Sequence, residues 1–207
     1  SYRGHRNEVH AMAFSANGRR LASSGTDSTT VIWDLSAPAQ GSADAAALWP
    51  ELLSEDSTKA YPAVWRLADA ADDVVIPFLK KQIRPVTAED MAKIRRAIRD
   101  LDSDEFRVRD RAFKELADLG YAARAPLRAA LDKQPSAESR HRVEQLLANV
   151  VGPPAAGESL RTARALSVLG AKGTSAAKDF LRELAGGAPE AWLTHEAKAA
   201  LRRMEGQ

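Results

Sequence analysis

The sequence contains no cysteine. That absence removes disulfides, thiolate nucleophiles and cysteine-ligated zinc together, while leaving the cellular compartment open. Aromatic residues make up only 6% of the 207 positions, too few for a large β core. The abundance of Ala, Leu and Arg favours packed helices instead. No apolar run approaches the roughly 18 residues that a membrane-spanning helix needs. A dominant charge sign is missing as well: 30 basic residues face 28 acidic ones, for a formal charge of +2. Such a balance does not make the phosphate-tracking surface of a nucleic-acid-binding domain. The first residues show no charged-then-apolar signal pattern and no initiator Met. The chain is therefore expected to be the C-terminal piece of a longer protein, with any targeting signal upstream.

Signatures of chemistry are equally scarce. There is no Walker loop, no Gly-rich dinucleotide turn and no kinase signature. His10, His141 and His195 share no metal-ligand spacing, and His195-Glu196 is not followed by a second His at the metalloprotease spacing. Asp100 to Glu105 alternates acids as a calcium loop does. The glycine and glutamate such a loop requires are replaced by Glu105 and Arg111, so the acids are read as the dipole-complementing start of a helix. No catalytic residue, cofactor or metal is expected, and the chain is not expected to be an enzyme.

What is present divides sharply near residue 40. Val9, Ala11 and Ala13 alternate with His10, Met12 and Phe14, a strand pattern. Asn17-Gly18 is a tight-turn signal. Arg20 to Ser24 gives a second short strand, Gly25 to Ser28 a second turn, and Thr29 to Trp33 a β-branched third strand. Together these segments predict a three-stranded antiparallel meander.

Gly4-His5, Phe14-Ser15, Asn17-Gly18, Leu21-Ala22-Ser23, Asp27 and Trp33-Asp34 all fall at the spacing of one WD40 repeat, and the segment resembles that family at the level of a whole repeat. The resemblance implies a blade of a β-propeller. It also implies a buried hydrogen-bond network of His5, Ser23, Asp27 and Trp33, in which the histidine, serine and indole donors satisfy a sheltered carboxylate. His5, Ser23 and Asp27 could also be read as a hydrolase triad. The repeat accounts for all three, and no nucleophile elbow or oxyanion loop accompanies them. One repeat is not a propeller, so the meander is expected either to pack on the helices that follow or to fray.

Residues 36–43 are rich in Ser, Ala, Pro and Gly and read as a linker. Helical periodicity then predominates. Helices are predicted over Ala43 to Leu53, from a Ser54 or Asp56 cap to Ala71, and over Asp73 to Ile83. Thr87 to Asp90 resembles a capping box opening a helix with Met91, Ile94, Ile98 and Leu101 on one face. Ser103 is expected to cap a helix stopped by Gly120, followed by Ala123 to Asp132. A helix after Pro135-Ser136 runs to Val150. Residues 151–157 are expected to be a linker. The last three helices are Glu158 to Leu169 stopped by Gly170, Ser175 to Ala185 capped by Thr174, and Thr194 to Met204.

Asp102, Val108-Arg109, Ala112, Leu116, Leu119-Gly120 and Ala125-Pro126-Leu127 follow the pattern of a HEAT-type repeat, which this stretch resembles. That resemblance implies that Arg109 is structural, paired to a turn acid such as Asp102 or Asp104. The expected fold is mainly α: a HEAT-like α-solenoid over 44–150 and 158–207, preceded by the WD40 meander over 1–35. The combination is similar to the C-terminal end of large bacterial multidomain WD-repeat proteins.

Lys93, Arg95, Arg96 and Arg99 form the densest basic patch, and Lys80, Lys81 and Arg84 a second; acids interleave with both, as on a solvated helix face. Trp49 and Trp65 sit among apolar helix positions and read as core anchors. The function expected from these features is protein–protein interaction or scaffolding, with other proteins and the remaining propeller blades as partners. The alternatives are a regulatory or positioning tail of an upstream enzymatic domain such as a kinase and, with less support, a nucleic-acid-binding solenoid.

Overall fold

The computed structural model describes residues 4–15, 18–35, 44–133, 135–150, 154 and 156–205. Three strands, β1 (Val9–Phe14), β2 (Arg20–Gly25) and β3 (Thr30–Asp34), form one antiparallel sheet in the order β1-β2-β3. Phe14 lies opposite Leu21, which lies opposite Trp33; Ala13, Ala22 and Ile32 form the neighbouring row. The β1–β2 register slips once, between Val9 and Ala11. In the first hairpin, Ala16 and Asn17 fall outside the described residues, and the Gly18 amide donates to the Ser15 carbonyl at 2.8 Å. The second hairpin closes through Ser28 N to Gly25 O at 3.2 Å.

The linker expected over 36–43 lies outside the described residues, as do 151–153 and 155 of the second linker. Asp44 caps α1 (Ala45–Leu48), accepting from the amide of Ala46 at 2.9 Å. The helix predicted to run on to Leu53 is broken at Pro50 and resumes as a 3₁₀ turn over Glu51–Leu53. Asp56 then caps α2 (Ser57–Asp69), and α3 (Asp72–Gln82) follows. The Thr87–Asp90 capping box is fully formed at the start of α4 (Ala88–Asp100).

Two boundaries depart from expectation. Ser103 does not cap α5 (Phe106–Leu119): Glu105 occupies the cap position with no side-chain bond, and the Ser103 hydroxyl, two residues earlier, accepts from the Glu105 amide. Gly170 does not stop α8 (Gly157–Lys172), which continues to a left-handed Gly173 at φ 67°. A lone helical Gly costs only about 1 kcal/mol against Ala, whereas positive φ is where an L side chain is strained. The remaining helices are α6 (Arg124–Leu131), entered by a 3₁₀ turn over Gly120–Ala123, α7 (Ala137–Ala148), α9 (Ser175–Ala185) and α10 (Trp192–Glu205). Ser136 and Thr174 cap α7 and α9. The last helix begins at Trp192, before the predicted Thr194.

The architecture is thus mainly α, with the three-stranded sheet at its N-terminal end. The helices bury two clusters. In one, Leu48, Leu52, Leu67, Val75 and Leu79 from α1–α3 and the turn between them pack with Leu169, Phe180, Leu181, Leu184 and Leu201 from α8–α10. Trp49 and Trp65 are anchors of this cluster, 9% and 5% exposed. In the other, Met91, Ile94, Leu101, Ala112, Leu116, Leu127, Val143 and Leu146 unite α4–α7. There α4 pairs with α5 and α6 with α7, and the two hairpins stack α4 against α6 and α5 against α7. Val86 packs against both clusters, and its carbonyl accepts from Ala188 N at 2.7 Å. The chain therefore closes back, α8–α10 returning to α1–α3, instead of extending one linear stack.

Cations that reach carbonyls at helix ends brace both clusters, two of them across this return. The carbonyls of a last helical turn lack intrahelical donors and carry the negative end of the dipole. Arg164 on α8 donates to the carbonyls of Leu52 and Ser54, both at 2.7 Å. Lys172, its side chain 2% exposed, donates to Ala68 O at 3.2 Å and Ala70 O at 2.5 Å and pairs with Asp72 at 3.0 Å. Arg142 on α7 donates to Leu101 O at 3.2 Å.

Arg109 also meets backbone carbonyls, here those of the turn between α4 and α5, which corrects its expected partner. It donates to the backbone carbonyls of Ser103 and Asp104 at 2.7 and 2.9 Å, not to the carboxylates of Asp102 or Asp104. Its nearest acid is Glu138, at 3.9 Å. Asp102 instead accepts from the Ser136 hydroxyl. The turn after α4 leaves carbonyls, not side chains, facing the guanidinium.

Candidate functional site

The densest polar arrangement in the sheet surrounds Asp27. His5, from the segment before β1, is brought over β2 and the β2–β3 turn. Its Nδ1 lies 3.3 Å from Asp27 Oδ1, and its Nε2 lies 2.7 Å from Ser23 Oγ. Trp33 Nε1 on β3 donates to the same Ser23 oxygen at 2.7 Å. An ionised carboxylate only accepts, so the Asp27 contact places the proton on Nδ1. Nε2 then accepts the Ser23 hydroxyl proton, and the Ser23 lone pair accepts from the indole. The result is one directed chain from Trp33 to Ser23 to His5 to Asp27. The structure therefore brings together all four of the residues expected to form the network.

Thr29 completes it, and the sequence pattern did not single it out for this role. Its hydroxyl lies 2.7 Å from Asp27 Oδ1 and 3.1 Å from His5 Nδ1, and its amide donates to Asp27 at 3.0 Å. The Arg6 amide adds 2.8 Å to Oδ2. These donors, the Thr29 hydroxyl first and the Arg6 amide next, hold the Asp27 carboxyl well below its usual range. The available signal was Thr29 two residues after an Asp in a turn, the spacing of an Asx-type turn.

Two glycines allow the close approach. A Cβ on Gly4 would sit 2.4 Å from the Trp33 ring, and one on Gly25 would sit 2.8 Å from Glu8 O and 3.0 Å from His5 Nδ1.

The Asp27–His5–Ser23 order resembles a proton relay, but it is not arranged for acyl transfer. Ser23 is 4% exposed, and its oxygen is already engaged by the Trp33 indole. A nucleophile needs that lone pair aimed at a substrate in an open site.

Residues 1–34 match the WD40 family, WD domain, G-beta repeat. The match covers the sheet and stops before the first helix. Repeats of this family typically serve protein interaction and not catalysis. No curated protein and no solved structure matches the chain.

Both faces of the WD40 sheet expose apolar side chains, although Gly4 and His5 cover Trp33 and Ser23 on one of them. Directly opposed residues share a face, so Met12, Phe14, Leu21 and Trp33 lie on one side and Ala13, Ala22 and Ile32 on the other. Phe14 is 69% exposed, Met12 70% and Ile32 60%. Among the described residues the sheet meets the helices at one end. Arg19 pairs with Asp69 at 2.6 Å and stacks 5.1 Å from the Trp65 ring, and the Tyr61 hydroxyl donates to the Leu35 carbonyl.

The basic patches are largely ion-paired. Lys93 meets Glu89 at 3.0 Å, Arg95 meets Glu190 at 2.5 Å, and Lys80 meets Glu183 at 2.6 Å. Arg84 grips Asp90 with two bonds of 2.7 and 2.9 Å. Among the described residues no three acidic or histidine side chains converge as a metal site, and no helix is long and apolar enough to cross a membrane.

Proposed function

We propose that this chain is a non-enzymatic protein–protein interaction or scaffold module, in which the WD40 sheet docks against further blade-like sheets and the helical body presents a second binding surface. The observation that carries this reading is the sheet itself: large apolar side chains are exposed on both faces and, among the described residues, the outer edges of β1 and β3 pair with no further strand. Exposed apolar patches and open strand edges mark association surfaces. The partners are other proteins, first among them the remaining blades of a WD40 propeller. The network around Asp27 has a structural role in this reading, pinning the β2–β3 turn to the segment before β1. In the same reading the stacked hairpins of α4–α7 are HEAT-like repeats, with Arg109 as a structural cation, and the organisation is a repeat over 1–35 followed by helices over 44–150 and 158–207.

The test is site-specific photo-crosslinking in the native cell. A crosslinker at Phe14 or Ile32 should form protein adducts, while one at exposed Arg107 on α5 should not. Absence of adducts at both sheet positions contradicts the reading.

A further inference from the structure

A groove of about 590 Å³ opens where α4, α6 and the start of α10 meet. Its volume lies in the range of ligand-binding clefts, roughly 300–1,000 Å³. Met91 and Ile98 of α4 form one wall, and Ala125, Pro126 and Ala129 of α6 form the other. Short side chains on the α6 wall let an occupant approach the helix closely. The charged rim is asymmetric. Arg95 is paired with Glu190, but Arg99 and Lys133, both exposed, have no acidic partner among the described residues. The neighbouring cations of α4 are paired, Lys93 with Glu89 and Arg96 with Asp100. Unanswered positive charge is thus concentrated beside the apolar opening.

We propose that this groove docks an acidic amphipathic helix of a protein partner, its apolar residues entering between α4 and α6 and its carboxylates meeting Arg99 and Lys133. The inference rests on the interaction-module reading and names the class of partner for the helical body. Charge complementarity selects the occupant. A neutral apolar segment leaves both cations unanswered, and a basic one is repelled by them. The two-walled, open-ended shape suits a helix laid in a groove, with anchors three or four residues apart.

The probe is a blocked synthetic helical peptide with leucines at every third or fourth position and glutamates between them, titrated into the full chain. Methyl NMR should show saturable shifts at Met91, Ile98 and Ala129. Replacing the glutamates by glutamine, or introducing the exposed-site pair R99E and K133E, should weaken binding about tenfold or more, and added salt should weaken it too. Ala129→Phe, which fills the groove, should abolish the shifts while circular dichroism stays unchanged.

Several outcomes overturn the proposal: no methyl shifts, equal binding of the glutamine peptide, shifts with decanoate but not with the peptide, or concentration-dependent shifts of the chain alone, which would make the occupant a second copy. If the groove fails while crosslinks still form at Phe14 and Ile32, the docking proposal falls and the broader function stands.

Discussion

The sheet and the helical body keep their apolar residues in opposite places. In the body, Phe180, Leu169, Leu79 and Leu116 are at most 1% exposed, enclosed by helices distant in sequence. In the sheet, Phe14, Met12 and Ile32 face solvent, and the best-sheltered group is a polar one, Ser23 with its network. Burial of an aliphatic or aromatic side chain contributes about 1.5–3 kcal/mol, so the body supplies its own stability. The sheet is held by a ladder, a hydrogen-bond network and an end contact at Arg19 and Tyr61. One region encloses its large apolar side chains; the other leaves them at the surface.

The sharpest way to break this contrast is a cavity in the body. Phe180→Ala should lower the unfolding free energy by about 3–5 kcal/mol, read by urea titration. The hydrogen bonds between β1, β2 and β3 should respond only as far as the Arg19 and Tyr61 contacts weaken.

The next effect comes from the clamp that closes the body. Lys172→Met removes the donor to Ala68 and Ala70 and the partner of Asp72, and should cost about 1–3 kcal/mol. Because the clamp joins α8 to α2 and α3, amide exchange should rise at both ends of that contact, which helices stabilised only by sequential neighbours would not show.

Within the sheet, Ser23→Ala leaves the Trp33 indole and His5 Nε2 without their shared partner. A loss of about 1–2 kcal/mol should appear as faster exchange across β2 and β3, with the helical unfolding midpoint unchanged.

Acid sharpens the same comparison. Asp27 titrates below its ordinary value of 3.8, so its contribution is fully present above that pH and is lost as pH falls through the folded value. Asp90, held low first by the Arg84 guanidinium and then by Thr87, behaves likewise at α4. Asp27→Asn should remove the acid response of the sheet amides while leaving that of α4 intact, as monitored by exchange at decreasing pH.

The parts that were legible in the sequence are those set by near neighbours. Strand alternation gave β1–β3, the WD40 spacing pointed to His5, Ser23, Asp27 and Trp33, and Thr87, Ser136 and Thr174 announced three helix starts. Each depends on residues a few positions apart or on one compact repeat. The closure of α8–α10 onto α1–α3 was not legible. It depends on contacts such as Arg164 to Leu52, separated by 112 positions, and such a contact leaves no local periodicity. Gly170 misled for a related reason: one helical Gly costs little, and the turn beyond it carries Lys172 to the carbonyls at the end of α2 before Gly173 turns left-handed. The groove beside Arg99 was hidden as well, since its walls come from helices whose stacking no single stretch encodes.

Native-state hydrogen exchange tests the division most directly. Protection of Ala22, Ser23 and Val31 should be far below that of Leu166, Leu169 and Phe180, with the sheet amides opening independently of global unfolding. Equal, strong protection of both sets would show that the sheet is as self-sufficient as the helical body, and would contradict the view that it is built to be completed by a partner.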